Sequence, residues 1–265
     1  MPDDMRNDTT NSSRPGWSRL TSLARMFDPR LPSHRMALMI GVASAVLGAA
    51  VDGDPGWGLA FNAGVGSFLG WALAREIDPD RPNSAALSGG LTGAAIAFGG
   101  PSLLLPVALI LVTARVLHRS TGVPPTLLDL VALIAVAYAG GTSTVGWACG
   151  LALAFAIARD HRLPAPAPRF QLAAAFVVAG AASAGAVIGG VSTDWELPEL
   201  WAMLVVGVGL FAGISLRVYV PTSTGDHTGD PLEPKRLQSA RRGVLGAGLL
   251  ALAAAGGAAV AALYP

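Results

Sequence analysis

All 18 Lys and Arg residues of this chain lie ahead of its first apolar run, in alternate connections between the runs, or, for Arg115 and Arg217, within three residues of a run end that adjoins such a connection. Nine such runs stand out: Met36–Val51, Trp57–Ala74, Ala85–Phe98, Ser102–Leu117, Thr126–Ala139, Thr144–Ala158, Phe170–Gly190, Leu200–Val220 and Gly243–Tyr264. If each run crosses a bilayer, all the basic residues lie on one side. The other side receives Asp52, Asp54, the Gly99-Gly100-Pro101 and Gly140-Gly141-Thr142 turns, Asp194, Glu196 and Glu199. Lys and Arg accumulate in cytoplasmic loops of membrane proteins, so this pattern sets both the number of crossings and their direction. The expectation is an all-α, polytopic transmembrane bundle of about nine spans in the plasma membrane, N-terminus cytoplasmic and C-terminus outside.

Composition agrees. Only 13% of the residues are charged, 52% are hydrophobic and the mean hydropathy is +0.52, against about 25% charged in an ordinary soluble domain. Several runs are shorter than the roughly 20 residues that a helix needs to cross hydrocarbon. Their basic flanks still require an even number of crossings between Ala85 and Leu117, and the Gly-Gly break between them reads as a hairpin tip rather than a mid-helix defect. Re-entrant hairpins remain the alternative, allowed where irregular backbone is buried in protein or lines water.

Residues 1–35 form a hydrophilic cytoplasmic tail ahead of a single helical domain at 36–265. In the tail, Trp17, Leu20, Leu23, Ala24 and Phe27 recur at helical spacing with Arg14, Arg19 and Arg25 between them. This is the pattern of an interfacial helix resting on anionic inner-leaflet lipid, with a disordered polar tail as the competing reading. Ala-Arg pairs at 74–75, 114–115 and 158–159, each followed by prolines, hint at a repeated hairpin. A helix C-terminus facing the cytoplasm would favour a cation there in any case.

The segment REIDPDRPNS at 75–84 concentrates charge on the basic face. Its acids, Glu76, Asp78 and Asp80, are candidate ligands for a divalent metal together with Asp226 and Asp230 of a second acidic segment, since hard cations take oxygen ligands from bent loops. Solvated, mutually neutralising loop charge is the commoner fate of such runs. Within the spans, polar residues are few, and Asn62, Arg115 and Asp129 are the candidates for a substrate path. Arg115 and Asp129 sit just inside the basic face on consecutive runs, which suggests that they pair, because an uncompensated charge there is costly. Glycines four apart at 66/70, 89/93, 146/150, 185/189 and 209/213 allow close helix approach, and the same faces are candidates for self-association.

Beyond that candidate divalent metal, the sequence leaves any cofactor unknown. A lone Cys149 excludes an internal disulfide, and the absence of Lys from the runs excludes a retinal-type Schiff base. The expected partner is the lipid bilayer, with no nucleic acid. The residues point first to a permease or channel for a small solute. A metal-dependent enzyme acting on lipid or lipid-phosphate at the cytoplasmic leaflet, and a non-catalytic accessory subunit of a membrane complex, are the alternatives. The first predicts Asn62 and Thr142–Thr144 on one cavity, the second a shared ion at Asp78, Asp80 and Asp226, and the third needs neither.

Overall fold

A computed structural model describes residues 21–23, 29–52, 57–191, 212–213, 217, 219–225 and 229–255. Eight helices account for most of them: α1 Pro32–Asp52, α2 Trp57–Ile77, α3 Pro82–Gly99, α4 Leu104–His118, α5 Leu127–Gly141, α6 Thr144–Asp160, α7 Phe170–Ile188 and α8 Pro234–Ala255. Among the described residues there is no strand, only an isolated bridge between Thr224 and Pro231.

The all-helical expectation therefore stands, while the nine-span count is not reached by the described helices. Two of them, α1 and α7, are long and apolar enough to cross a membrane. Helices α4 and α5 are apolar but have 15 residues each, about 22 Å at 1.5 Å per residue, against about 30 Å of hydrocarbon. Most of the run 200–220, the acids Asp194, Glu196 and Glu199, and most of the tail lie outside the described residues.

The breaks fall where local chemistry puts them. Helix α3 opens on Pro82, whose missing N–H costs nothing in the first turn, and it stops at Gly99 because Gly100 takes φ +98, which a side chain would resist. Asn62 of α2 then pins the turn that follows: its Nδ2 donates to the Ser102 carbonyl at 3.0 Å and its Oδ1 accepts from the Ser102 N–H at 2.9 Å. Ser143 caps α6 by accepting from the Gly146 N–H at 3.1 Å.

The helices form two lobes. In the first, α1, α2 and α3 pack on one another; in the second, α7 lies against α5 and α6, while α4 and α8 pack on α6 and on each other. Helix α2 makes the joint, chiefly against α4 and at fewer positions against α8. Small residues fill the interior. Ala and Gly dominate the buried helix faces, with a Leu, Ile and Val seam through α4, α5 and α6. Large apolar side chains point outward instead, including Leu38, Met39, Val42 and Val46 along α1 and Phe176 and Val187 on α7.

Close approach depends on the glycines. A Cβ at Gly48 would stand 2.9 Å from the Leu59 carbonyl oxygen, and one at Gly89 would stand 3.0 Å from the Ser67 carbonyl oxygen. At the α5–α7 contact, a Cβ on Gly141 would run into the Ala182 carbonyl oxygen and one on Gly185 into that of Tyr138. Backbone cannot retreat as a side chain can, so Gly141→Ala and Gly185→Ala should each cost about 1–3 kcal/mol. Gly180, with nothing within 4 Å of its Cβ position, should accept Ala within about 0.5 kcal/mol. Melting curves of the three variants in one detergent check the contrast.

Candidate functional site, a buried charged layer at one end of the bundle

Hydrogen bonds tie together the C-terminal ends of α2, α4 and α6 and the N-terminal ends of α5, α7 and α8. The resulting layer lies at a single end of the bundle and collects the charge that the sequence concentrates on one face. Three carboxylates organise it.

Glu76 is the first. It sits on the last turn of α2 and is fully buried, accepting from Arg115 Nε at 3.1 Å and from Ser120 Oγ at 3.2 Å, with His118 Nδ1 at 3.3 Å. This corrects two expectations. Glu76 is not a solvated loop acid, because the helix runs on to Ile77 and turns the side chain inward against α4. Arg115 does not pair with Asp129: its Nε goes to Glu76 and its Nη1 to the Leu23 carbonyl oxygen at 2.9 Å. The ion pair thus bridges the two lobes at their joint.

Asp160 is the second. Ending α6 with no exposed surface, it lies between two guanidiniums, Arg119 Nη2 at 2.7 Å and Arg236 Nη1 at 2.6 Å. Arg236 also donates to the carbonyls of Pro164 and Leu117, and Arg119 Nη1 to that of Ala165 at 2.6 Å. Two non-glycine residues take left-handed backbone here, Arg119 at φ 51 and Ala165 at φ 52, a conformation costing about 1–2 kcal/mol. Both are held by this one network, so the strain is offset by the bonds it permits.

Asp129 is the third. Thr126 caps α5 in a reciprocal capping box, its hydroxyl accepting from the Asp129 N–H while Asp129 Oδ2 takes the Thr126 N–H at 2.8 Å. The spacing Thr126-Leu127-Leu128-Asp129 carries that signal in the sequence, with Asp in place of the usual Glu. The same carboxylate accepts from the Ser22 N–H at 2.8 Å, from Ser22 Oγ at 2.9 Å and from Thr21 Oγ1.

The remaining described metal candidates make separate contacts. Asp78 reaches Arg81 Nε at 3.6 Å. Asp80 turns to the segment before α8, accepting from the Thr222 N–H at 2.8 Å, the Ser223 N–H at 2.9 Å, Ser223 Oγ and Tyr219 Oη. Asp230 is exposed in the turn closed by Gly225 N–H to its own carbonyl at 2.8 Å, and Asp226 lies outside the described residues. Among the described residues, no three His, Cys, Asp or Glu side chains are placed to hold a metal. The two acidic segments do meet, where Asp80 accepts from Ser223; beside them Arg241 of α8 donates to the Ile77 carbonyl at 2.8 Å and stacks over Tyr219. At Asp80 the contact is made by donors of the later segment on the carboxylate of the earlier one.

An open cavity of about 490 Å³ lies beside this junction, lined among others by Ser33, Arg75, Asp80, Asn83 and Ser223. Asn62 is remote from it, committed to Ser102 near the opposite end, and Ser143 there caps α6. Comparison with protein-family models, with curated proteins and with solved structures returns no match.

Asp80 should give the layer a definite acid limit. Burial acts to raise its pKa, but the hydrogen bonds from Ser223, Thr222 and Tyr219 outweigh it and hold the carboxyl well below the usual range. A depressed folded value means that the contribution is complete above the unfolded pKa of about 3.9 and fades as pH falls below it. The melting temperature gap between wild type and Asp80→Asn should stay constant from pH 7 to pH 5. It should narrow only below about pH 4.

Proposed function

We propose that this chain is a multi-pass membrane protein of about nine spans, N-terminus cytoplasmic and C-terminus outside, whose two lobes form a permease for a small solute. Its inverted interior supports the membrane setting. Water would penalise a surface of Phe, Leu and Val around a core rich in Ala and Gly, whereas lipid favours that surface and leaves close packing to small residues. The gathering of Arg75, Arg115, Arg119, Arg236 and Arg241 at one end supports a single cytoplasmic face.

The observation that carries the permease reading is the two-lobe packing with a charged joint. Helices α1–α3 and α4–α8 are each closely packed, and they meet mainly through α2 against α4, where Glu76 is buried on Arg115. Alternating access in carriers is largely the rocking of one such bundle against another. A joint that is narrow along its length and fastened at one end suits that motion. The accessory-subunit reading is favoured instead by Asn62, whose amide is spent on the Ser102 turn rather than on a cavity shared with Thr142–Thr144.

Purified protein in liposomes decides between the two. With a panel of small ions, amino acids and sugars, one class should enter faster than in empty vesicles. Glu76→Gln, which removes the charge at the joint, should change that rate in protein that remains folded. Entry no faster than in empty vesicles for every solute would contradict the permease and leave the accessory role.

A further inference from the structure

Two of the residues expected to line a substrate path, Arg115 and Asp129, are both occupied by one short piece of the N-terminal segment. Ser22 is buried at 1% exposure, its N–H and hydroxyl both on Asp129 Oδ2, while Thr21 reaches Oδ1. The next carbonyl, that of Leu23, accepts from Arg115 Nη1 at 2.9 Å, and the Leu23 side chain packs against the apolar core of the second lobe. Three consecutive residues therefore satisfy an anion at the start of α5 and a cation near the end of α4.

A capping box needs only one bond from its carboxylate back to the cap residue. Asp129 offers three further bonds to Thr21 and Ser22, well beyond what α5 requires. Helices α4 and α5 touch each other little, since α5 leans on α6 and α7, so the segment links two helices that pack only lightly on one another.

We propose that Thr21–Leu23 is a strap that docks on Asp129 and Arg115 and closes the cytoplasmic end of the bundle between α4 and α5, regulating passage through the permease proposed above. Its docking rests on the bonds alone; its effect on flux rests on the permease reading. Hydrogen bonds to a charged partner hold it, so a second negative charge beside Asp129 releases it. Ser22→Asp supplies that charge without altering any helix.

The test uses the full chain with Leu23→Cys as reporter and Cys149→Ala to remove the native thiol. With Ser22 in place, Leu23→Cys should react slowly with a maleimide. Adding Ser22→Asp should speed labelling by about tenfold or more, as expected when charged hydrogen bonds of roughly 1.5–3 kcal/mol are lost. Equal rates, fast or slow, would overturn the docking. In liposomes, the released strap should raise the entry rate of the transported solute, and unchanged entry with faster labelling would overturn the closure. Absence of entry in both proteins would instead sink the permease reading and the closure with it, while the labelling result would still decide the docking.

Discussion

A carboxylate held between two guanidiniums, Asp160 between Arg119 and Arg236, is the interaction on which the charged end of the bundle depends. It joins the end of α6, the turn after α4 and the start of α8. Removing a buried partner from such a set leaves charge without compensation, at a cost of about 3–5 kcal/mol. The left-handed backbone at Arg119 and Ala165 is tolerable only inside that network. Glu76 with Arg115 does the same work one step away, across the joint between lobes. Charge here is structural first, and any movement of one lobe on the other must be accommodated around it.

The opposite end is built without ionic ties among the residues described. Its hairpin tips are set by Gly100, by the Asn62–Ser102 amide pair and by glycine backbone in contact with backbone at α5 and α7. One end is thus fastened by charge-assisted bonds and the other by close packing. The polar end suits an aqueous face crowded with cations, and the small-residue end suits surroundings where Phe and Leu face outward.

Several of these features were legible in the sequence. The helix breaks followed from Gly-Gly and Pro punctuation, and the gathering of charge at one end followed from the alternation of basic and non-basic connections. The Asp129 cap was also there to be read, in a Thr and an Asp three apart ahead of an apolar run. The partner of Arg115 was not. Asp129 and Glu76 were both available at plausible depth, and the choice depended on α2 extending through Glu76 to Ile77 and turning the side chain onto α4. The convergence of Asp78 and Asp80 on an ion was equally undetermined, because donors on Tyr219, Thr222 and Ser223 come from a segment about 140 residues away. The Thr21–Leu23 contact was not legible either, because periodicity describes a helix face and says nothing about what a coil residue touches.

Central to the proposed topology is the charged layer as the cytoplasmic face of a bundle whose short hairpins cross the membrane. Thr142 is exposed at the tip between α5 and α6, and Ser84 is exposed beside the charged layer. In intact cells producing the Cys149→Ala protein, cysteine at Thr142 should react with an impermeant thiol reagent added outside, and cysteine at Ser84 should react only after the cells are opened. Labelling of Ser84→Cys from outside, or protection of Thr142→Cys until the cells are opened, would contradict it.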